Sequence, residues 1–271
     1  MKIRILLLTI LLLSQTVSAQ NNKILFVMSA ADTLELNNGK KLRQTGVFLN
    51  EFYLAYKSVI QAGYTVDFAT PNGITATIDN QSSNAKYWKN NLEMKDEALL
   101  FTQTDCLFNN PKTLEKAVET KADYIGLVIP GGQGLMVDLT NDANIPILLT
   151  HFAKTKKPTG LICHAPSLLL TIPMAENPYI GFEVNSVSPL EEFIIEHFIM
   201  KGKPKNRKIA QQLKKMGLKY KHKLPKSNFS IKDRNLVTSQ NPFSGAAFNT
   251  LYLEALTEYL NENPVTKNTP E

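Results

Sequence analysis

Short apolar runs alternate along this chain with longer stretches in which apolar residues recur every three or four positions, the pattern of strands alternating with helices. Lys23 to Met28 (KILFVM) reads as a first strand that ends at Ser29-Ala30-Ala31. Asn37-Asn38-Gly39 marks a turn. From Thr45 to Ala62, Phe48, Phe52, Tyr56, Val59 and Ile60 share one helical face, and Gly63 stands where the helix should end. Thr65 to Ala69 is the next strand, closed by the turn Thr70-Pro71-Asn72-Gly73. Residues 74–110 have poor periodicity and contain the sole tryptophan, Trp88; they read as an excursion from the core. A helix near Thr113 to Lys121, a strand from Tyr124 to Ile129, a helix from Ile145 to Lys154 and a strand from Thr159 to Ile162 follow. The sheet resumes at Asn235 to Ser239, before an amphipathic helix from Phe243 to Leu260. This alternation predicts an α/β fold, a doubly wound parallel sheet with right-handed crossovers and helices on both faces. Residues 193–230 sit between sheet elements and read as an insertion or small cap.

The amino terminus changes the picture of where the protein works. Lys2 and Arg4 precede an apolar run from Ile5 to Leu13 and the small-residue end Val17-Ser18-Ala19, the layout of a secretory signal peptide over residues 1–19. The run is well short of the roughly 20 residues of a membrane span, so cleavage after Ala19 and a soluble mature chain, periplasmic or secreted, are expected. Residues 20–271 are long enough for one sizeable α/β domain with elaborations about 74–110 and 193–230. Two cysteines, Cys106 and Cys163, exclude a disulfide framework, although the spacing leaves open whether they pair with each other.

The net charge is +6, or +4 without Lys2 and Arg4. Eleven Lys or Arg and no Asp or Glu fall between Lys201 and Lys226, so the rest of the mature chain has 17 basic against 24 acidic residues. Such a block suits a polyanion or an anionic lipid surface, or else forms the solvated face of a helix pinned by Ile209, Leu213 and Met216. Tyr220 is the one Phe, Tyr or Trp among these cations, short of the aromatic interleaving of a nucleic-acid groove, so no nucleic-acid partner is expected.

The chemistry concentrates at Gly160-Leu161-Ile162-Cys163-His164-Ala165-Pro166, an apolar strand that stops at a cysteine and passes through small residues into the helical run Ser167 to Leu170. Such a turn is a nucleophile elbow, which lifts one side chain above the carboxyl edge of a sheet. A helix amino terminus beside the sulfur predicts a lowered thiol pKa. The alternative is a structural cysteine beside an incidental histidine. A second turn, Pro130-Gly131-Gly132-Gln133-Gly134, follows another core strand, and its backbone N–H groups, with that of His164, are candidate oxyanion donors. Neither HExxH nor a CxxC pair is present, so no metal and no cofactor are expected. His151, His197 and His222 have no partner pattern and read as surface residues.

Four ordered stretches, Thr45-Gly46-Val47-Phe48-Leu49-Asn50-Glu51, Ile129-Pro130-Gly131-Gly132, Ile162-Cys163-His164-Ala165-Pro166 and Thr238-Ser239-Gln240-Asn241-Pro242, resemble the ThiJ/PfpI (DJ-one) family, part of the class I glutamine amidotransferase-like superfamily. They look most like its larger heat-shock glyoxalase/chaperone branch, over about residues 23–260. The resemblance implies a flavodoxin-like fold. It makes Cys163 the nucleophile, Glu51 the acid hydrogen-bonded to its sulfur, His164 the histidine that follows it, and Glu192 the acid that orients the histidine, with Glu191 as competitor. Three positions depart from the pattern: Gln133 stands where many relatives have His, Ala165 where many have Gly, and Ser239 where many have Gly.

The function so implied is a cofactor-free glyoxalase acting on a small reactive carbonyl such as methylglyoxal, with protein deglycase activity resting on the same adduct chemistry. Two alternatives share the fold: a holding chaperone or redox sensor that binds unfolded clients, and a C–N hydrolase, either peptidase or amidotransferase-like. No His-x-Glu segment follows Cys163, which counts against the amidotransferase. A homodimer is the expected assembly.

Overall fold

The computed structural model describes residues 22–89 and 91–264, so the expected signal peptide at 1–19 lies outside the described residues. Among the described residues eleven strands run in chain order: β1 Lys23–Val27, β2 Thr33–Leu36, β3 Lys41–Gln44, β4 Thr65–Thr70, β5 Lys112–Thr113, β6 Gly126–Ile129, β7 Thr159–Ile162, β8 Glu183–Val184, β9 Lys219–Tyr220, β10 Ser230–Asp233 and β11 Leu236–Ser239. The α-helices are α1 Leu49–Gln61, α2 Leu92–Thr104, α3 Cys106–Asn109, α4 Leu114–Glu119, α5 Asn144–Lys154, α6 Pro189–Ile194, α7 Ile209–Lys215 and α8 Gly245–Glu262. No described helix is long and apolar enough to cross a membrane.

Seven strands form the central sheet in the order β10-β11-β7-β6-β1-β4-β5. Every pairing is parallel except β10 with β11. The chain leaves β1 for β4 on one side and returns to β6 on the other, so the winding direction reverses beside β1. A doubly wound sheet places its crevice at the carboxyl ends of the strands at such a switch point. Strands β1, β6 and β7 are apolar and almost wholly buried, as strands covered on both faces must be. Helix α1 packs on α8 and α4 on α5, and these pairs supply the covering layers.

Three expectations need correction. The α1 helix begins at Leu49 rather than Thr45, because Val47 is held in extended form: it pairs with Ile78 and Phe48 N–H donates to Gly131 O. Residues 74–110 are no excursion from the core. Phe101 and Phe108 pack on Phe52 with ring centroids 6.0 and 5.3 Å apart, and Trp88 is buried with its indole N–H donating to Ser82 O at 2.9 Å. The segment reads as irregular because its apolar residues are divided between four-residue helical turns and the helix α2, in which Ala98 is the one fully buried residue and no apolar stripe stands out. The run after Cys163 is a 3-10 helix, Ala165–Thr171, and not an α-helix.

Residues 193–230, which hold the basic segment, lie in the chain between β7 and the start of β10 and are termed the cap. Its helix α7 buries Ile209 and Leu213, and β9 pairs with β8. A partner for the cap was missed in the sequence: strands β2 and β3 form a hairpin around the Asn37-Asn38-Gly39 turn. Leu34 and Leu36 pack with Met200 in a small second core. Lys41 Nζ and Arg43 Nη1 donate to the carbonyls of Met200 and Ile199. Truncation of Phe108 to Ala is expected to destabilise the whole domain by about 3–5 kcal/mol, the usual loss for a fully buried aromatic. Urea unfolding checks this, and a loss confined below about 1 kcal/mol would restore the view of 74–110 as peripheral.

Candidate active site

The backbone at Cys163 is forced into the left-handed region, φ +60°, at the end of β7. For a residue with a side chain this conformation costs on the order of 1–3 kcal/mol and persists only where neighbours impose it. Here Cys163 N–H donates to Ser239 O on β11, and Cys163 O accepts from Val187 N–H. The strand-to-turn geometry expected of a nucleophile elbow is therefore present.

Glu51, in the first turn of α1, and the Cys163 thiol share a dry pocket: Cys163 is 5%, Glu51 4% and His164 4% exposed. The three residues come together because Gly131, at the end of β6, has no side chain. A Cβ on it would lie 2.4 Å from Glu51 Oε2 and 2.6 Å from Cys163 Cβ. Gly132 has φ +111°, and a Cβ there would meet Gly46 O at 2.2 Å, which fixes glycine at the turn.

Burial drives the electrostatics. It raises the Glu51 carboxyl to about 8, against partial relief from the nearby thiol of Cys163 and the Gly131 N–H. Neither Glu51 oxygen makes a hydrogen bond of good geometry, so that relief stays incomplete. The Cys163 thiol is also raised, first by burial and then by the negative charges of Glu51 and Glu191. This corrects the expectation of a lowered thiol pKa: the following helix is a 3-10 run, and burial outweighs its amino-terminal N–H groups. Both groups cannot ionise side by side in so dry a site, and at neutral pH the pair retains at least one proton.

The Cys163 sulfur lies 3.1 Å from His164 Nδ1, while His164 Nε2 contacts Gln133 Nε2 at 2.8 Å. Burial holds the His164 pKa down at about 4, so the imidazole is neutral. The structure does not bring Glu192 to His164: the Glu192 carboxylate accepts from Lys208 N–H and faces a second hollow with Glu196 and Arg207. Glu191 does line the cleft, but its two oxygens accept from Ser188 N–H, Gln240 Nε2, Asn241 Nδ2 and Lys226 N–H. It is an anchor that ties α6, the cap and the segment after β11 together.

The oxyanion candidates divide. The Gly131 N–H is turned toward Glu51 and the His164 N–H toward the sulfur. The Gly132 N–H makes no hydrogen bond among the described residues, and Gly132 lines the cleft. Both cysteines are free, Cys106 exposed and Cys163 buried. Among the described residues no three His, Cys, Asp or Glu side chains converge as a metal site.

Above Cys163 opens a cleft of about 300 Å³. Its walls include Phe48, Tyr87 and Phe243 on one side and Ile194, Ile195, Ile199 and Met200 from the cap on the other. Residues 195–199 form a π-helical turn, a form often found at functional sites. Sequence reasoning missed these wall residues, because nothing in their spacing shows that 78–88 and the cap meet across the cysteine. It also missed Gln133 as the partner of His164; its departure from the family pattern was the available signal.

A doubly wound α/β domain with a buried cysteine at an elbow over the sheet's carboxyl edge defines the class of the protein. A model described as ThiJ/PfpI family-like matches residues 42–188, more than half of the chain, and the chain belongs to that family. It is similar to a protein/nucleic acid deglycase HchA of Staphylococcus aureus, 28% identical over 250 residues that cover 88% of this chain and 80% of the relative. Among solved structures it resembles glyoxalase III from Candida albicans, with TM-score 0.66, 22% identity and coverage of 86% of this chain and 96% of the other. The Rapid Encystment Protein of Francisella tularensis is similar at TM-score 0.69 and 22% identity, over 86% of this chain and 98% of that one.

Glu51 makes a prediction about stability. Its folded pKa, about 8, lies above its ordinary value of 4.5, so the folded state binds the extra proton between those limits and stability falls as pH rises through them. Glu51→Gln removes that penalty. Its stability is expected to lie close to wild type near pH 5 and to exceed it at pH 9 by on the order of 5 kcal/mol, seen as a higher melting temperature. Thermal melts at the two pH values would show a constant gap if the carboxyl titrates normally.

Proposed function

We propose that this protein is a cysteine-dependent, cofactor-free glyoxalase-type enzyme that converts 2-oxoaldehydes such as methylglyoxal to 2-hydroxy acids and serves stress protection. The observation that carries this is the enclosed trio: a thiol, a carboxyl group with pKa near 8 and a neutral imidazole 3.1 Å from the sulfur. The names of the relatives, deglycase and glyoxalase III, support the same chemistry.

The Cys163 sulfur forms a bond to the aldehyde carbon, and the thiol proton passes by way of His164 Nδ1 to the aldehyde oxygen, giving a hemithioacetal. Ionised Glu51 removes the hydrogen of that carbon as a proton, and the neighbouring keto oxygen takes up a proton to give an enediol. Glu51 then delivers its proton to the former keto carbon, while the hydroxyl on the sulfur-bearing carbon loses one. The product is a thioester of the 2-hydroxy acid, and water cleaves it to release the acid and the thiol. One carbon is oxidised and its neighbour reduced, so no external oxidant or reductant is needed. A raised Glu51 suits this shuttle because a base near 8 is strong enough to take a carbon-bound proton in a dry site and still returns it. Gly132 N–H would meet the oxygen that becomes charged on addition.

Deglycase activity would use the same addition with a protein-bound adduct at the mouth of the cleft. The C–N hydrolase reading loses support because among the described residues no carboxylate reaches His164. We further propose that the mature chain begins after Ala19 in an exported compartment and assembles as a homodimer.

The test is D-lactate production from methylglyoxal by the mature protein without glutathione. Cys163→Ala and Glu51→Gln are each expected to lower kcat/KM by about 10²–10⁴-fold. Because Glu51 must be ionised to act as base, wild-type kcat/KM is expected to rise with pH and level off above about 8. A folded wild type with a titratable thiol and no turnover would overturn the reading in favour of binding or hydrolysis.

A further inference from the structure

We infer that Gln133, and not a carboxylate, is the positioning partner of His164, and that its amide decides whether Nδ1, the nitrogen facing Cys163, carries the ring proton. The inference rests on Cys163 being the nucleophile, and its readouts do not need glyoxalase turnover.

His164 is buried, so each ring nitrogen depends on a protein partner: Nδ1 faces the sulfur at 3.1 Å and Nε2 faces the Gln133 amide at 2.8 Å. Both nearby acids are engaged elsewhere, Glu191 by four donors and Glu192 by Lys208 N–H. An amide differs from a carboxylate in two ways. It brings no charge, so it does not favour the imidazolium. It also offers a donor and an acceptor, so it can serve either neutral tautomer, whereas a carboxylate only accepts.

When Gln133 Nε2 donates to His164 Nε2, the ring proton sits on Nδ1 and is donated to the sulfur. When the amide is turned by half a rotation, Oε1 accepts from the Nε2–H, and Nδ1 has a free lone pair that can take the thiol proton. The second arrangement is the one that addition to a carbonyl requires. In the first, Oε1 is buried without a partner among the described residues, so the turned amide exchanges one unmet group for another at little cost. The turn that holds Gln133 is fixed by Gly132, whose Cβ would strike Gly46 O, and by Gly134 N–H donating to Gly46 O at 3.3 Å.

The charged and titratable groups around the pair are Glu51 from α1, Glu191 from α6, Asp79, Tyr87, and Arg43, Lys86 and Lys226 at the cleft. None of these donates to or accepts from the His164 ring. The neutral imidazole at physiological pH agrees with an uncharged partner.

The experiment uses the mature chain with Cys106→Ser, which removes the exposed thiol, and compares Gln133 with Gln133→Leu and Gln133→Glu. Alkylation of Cys163 by iodoacetamide is followed from pH 5 to 10, and the His164 ring nitrogens are followed by nitrogen-15 NMR. In the Leu variant the Nε2 resonance is expected to move and alkylation at pH 7 to change at least threefold, with the fold retained by circular dichroism. In the Glu variant His164 is expected to titrate above pH 6, and alkylation below pH 7 to rise about tenfold because an imidazolium beside the sulfur favours thiolate. If the Leu variant does not fold, the Glu variant decides. Profiles and ring resonances that superpose on wild type would overturn the inference.

Discussion

The structure depends on one constraint: a cysteine held at φ +60° above the end of β7, with a buried carboxyl beneath it and a glycine in place of any side chain between them. The left-handed turn aims the sulfur away from the sheet and toward the cleft. The absence of a Cβ on Gly131 lets α1 approach until Glu51 and Cys163 share one dry space. Each element around the site can be read as holding that approach. Ser239 O on β11 accepts the Cys163 N–H, and Val187 binds its carbonyl. Asn50, one residue before Glu51, donates to Tyr87 O and Pro242 O, which ties α1 to the two segments that carry Tyr87 and Phe243 in the cleft wall.

Burial decides the chemistry more than any single partner does. A thiol in a helix-terminal, cation-lined setting would be a standing thiolate, reactive toward any oxidant or electrophile that reached it. Here desolvation raises the thiol and Glu51 together and keeps His164 neutral. On the proposed function, the resting site would hold its protons and release them only as a carbonyl provided somewhere for the charge to go. That suits addition to an aldehyde, in which the proton leaving sulfur ends on oxygen within the same pocket.

The sheet was legible because buried parallel strands are continuous apolar runs: β1, β4, β6, β7 and β11 all fall where short hydrophobic stretches end at Gly, Pro or small residues. Cys163, Glu51 and the glycine turn were legible through four motifs in order. The β2–β3 hairpin was not, because Thr33 to Leu36 is short and half its side chains face solvent. The region 74–110 was misread because its burial is distributed over single residues, Tyr87, Trp88, Ala98 and Phe108, with no period to join them. The partner of His164 was misassigned for a different reason. Glu191 and Glu192 are adjacent on α6, and sequence alone cannot tell that one is consumed by four donors and the other is turned away from the cleft.

On the proposed function, chemistry and selection of substrate fall to different parts of the chain. Gly131, Cys163 and Glu51 sit at the ends of β6, β7 and α1. The far wall of the cleft comes from the cap, where Ile194, Ile195, Ile199 and Met200 face Phe48, Tyr87 and Phe243. That wall does not stand alone: Lys41 and Arg43 from the β2–β3 hairpin hold the carbonyls of Met200 and Ile199, and Arg207 pairs with Glu196 behind it. A cleft of about 300 Å³ with mainly apolar walls has more room than a three-carbon aldehyde fills. Substitutions in the wall can therefore change which side chain accompanies the reacting carbonyl, while the trio of Cys163, His164 and Glu51, fixed by backbone strain and a missing Cβ, stays as it is.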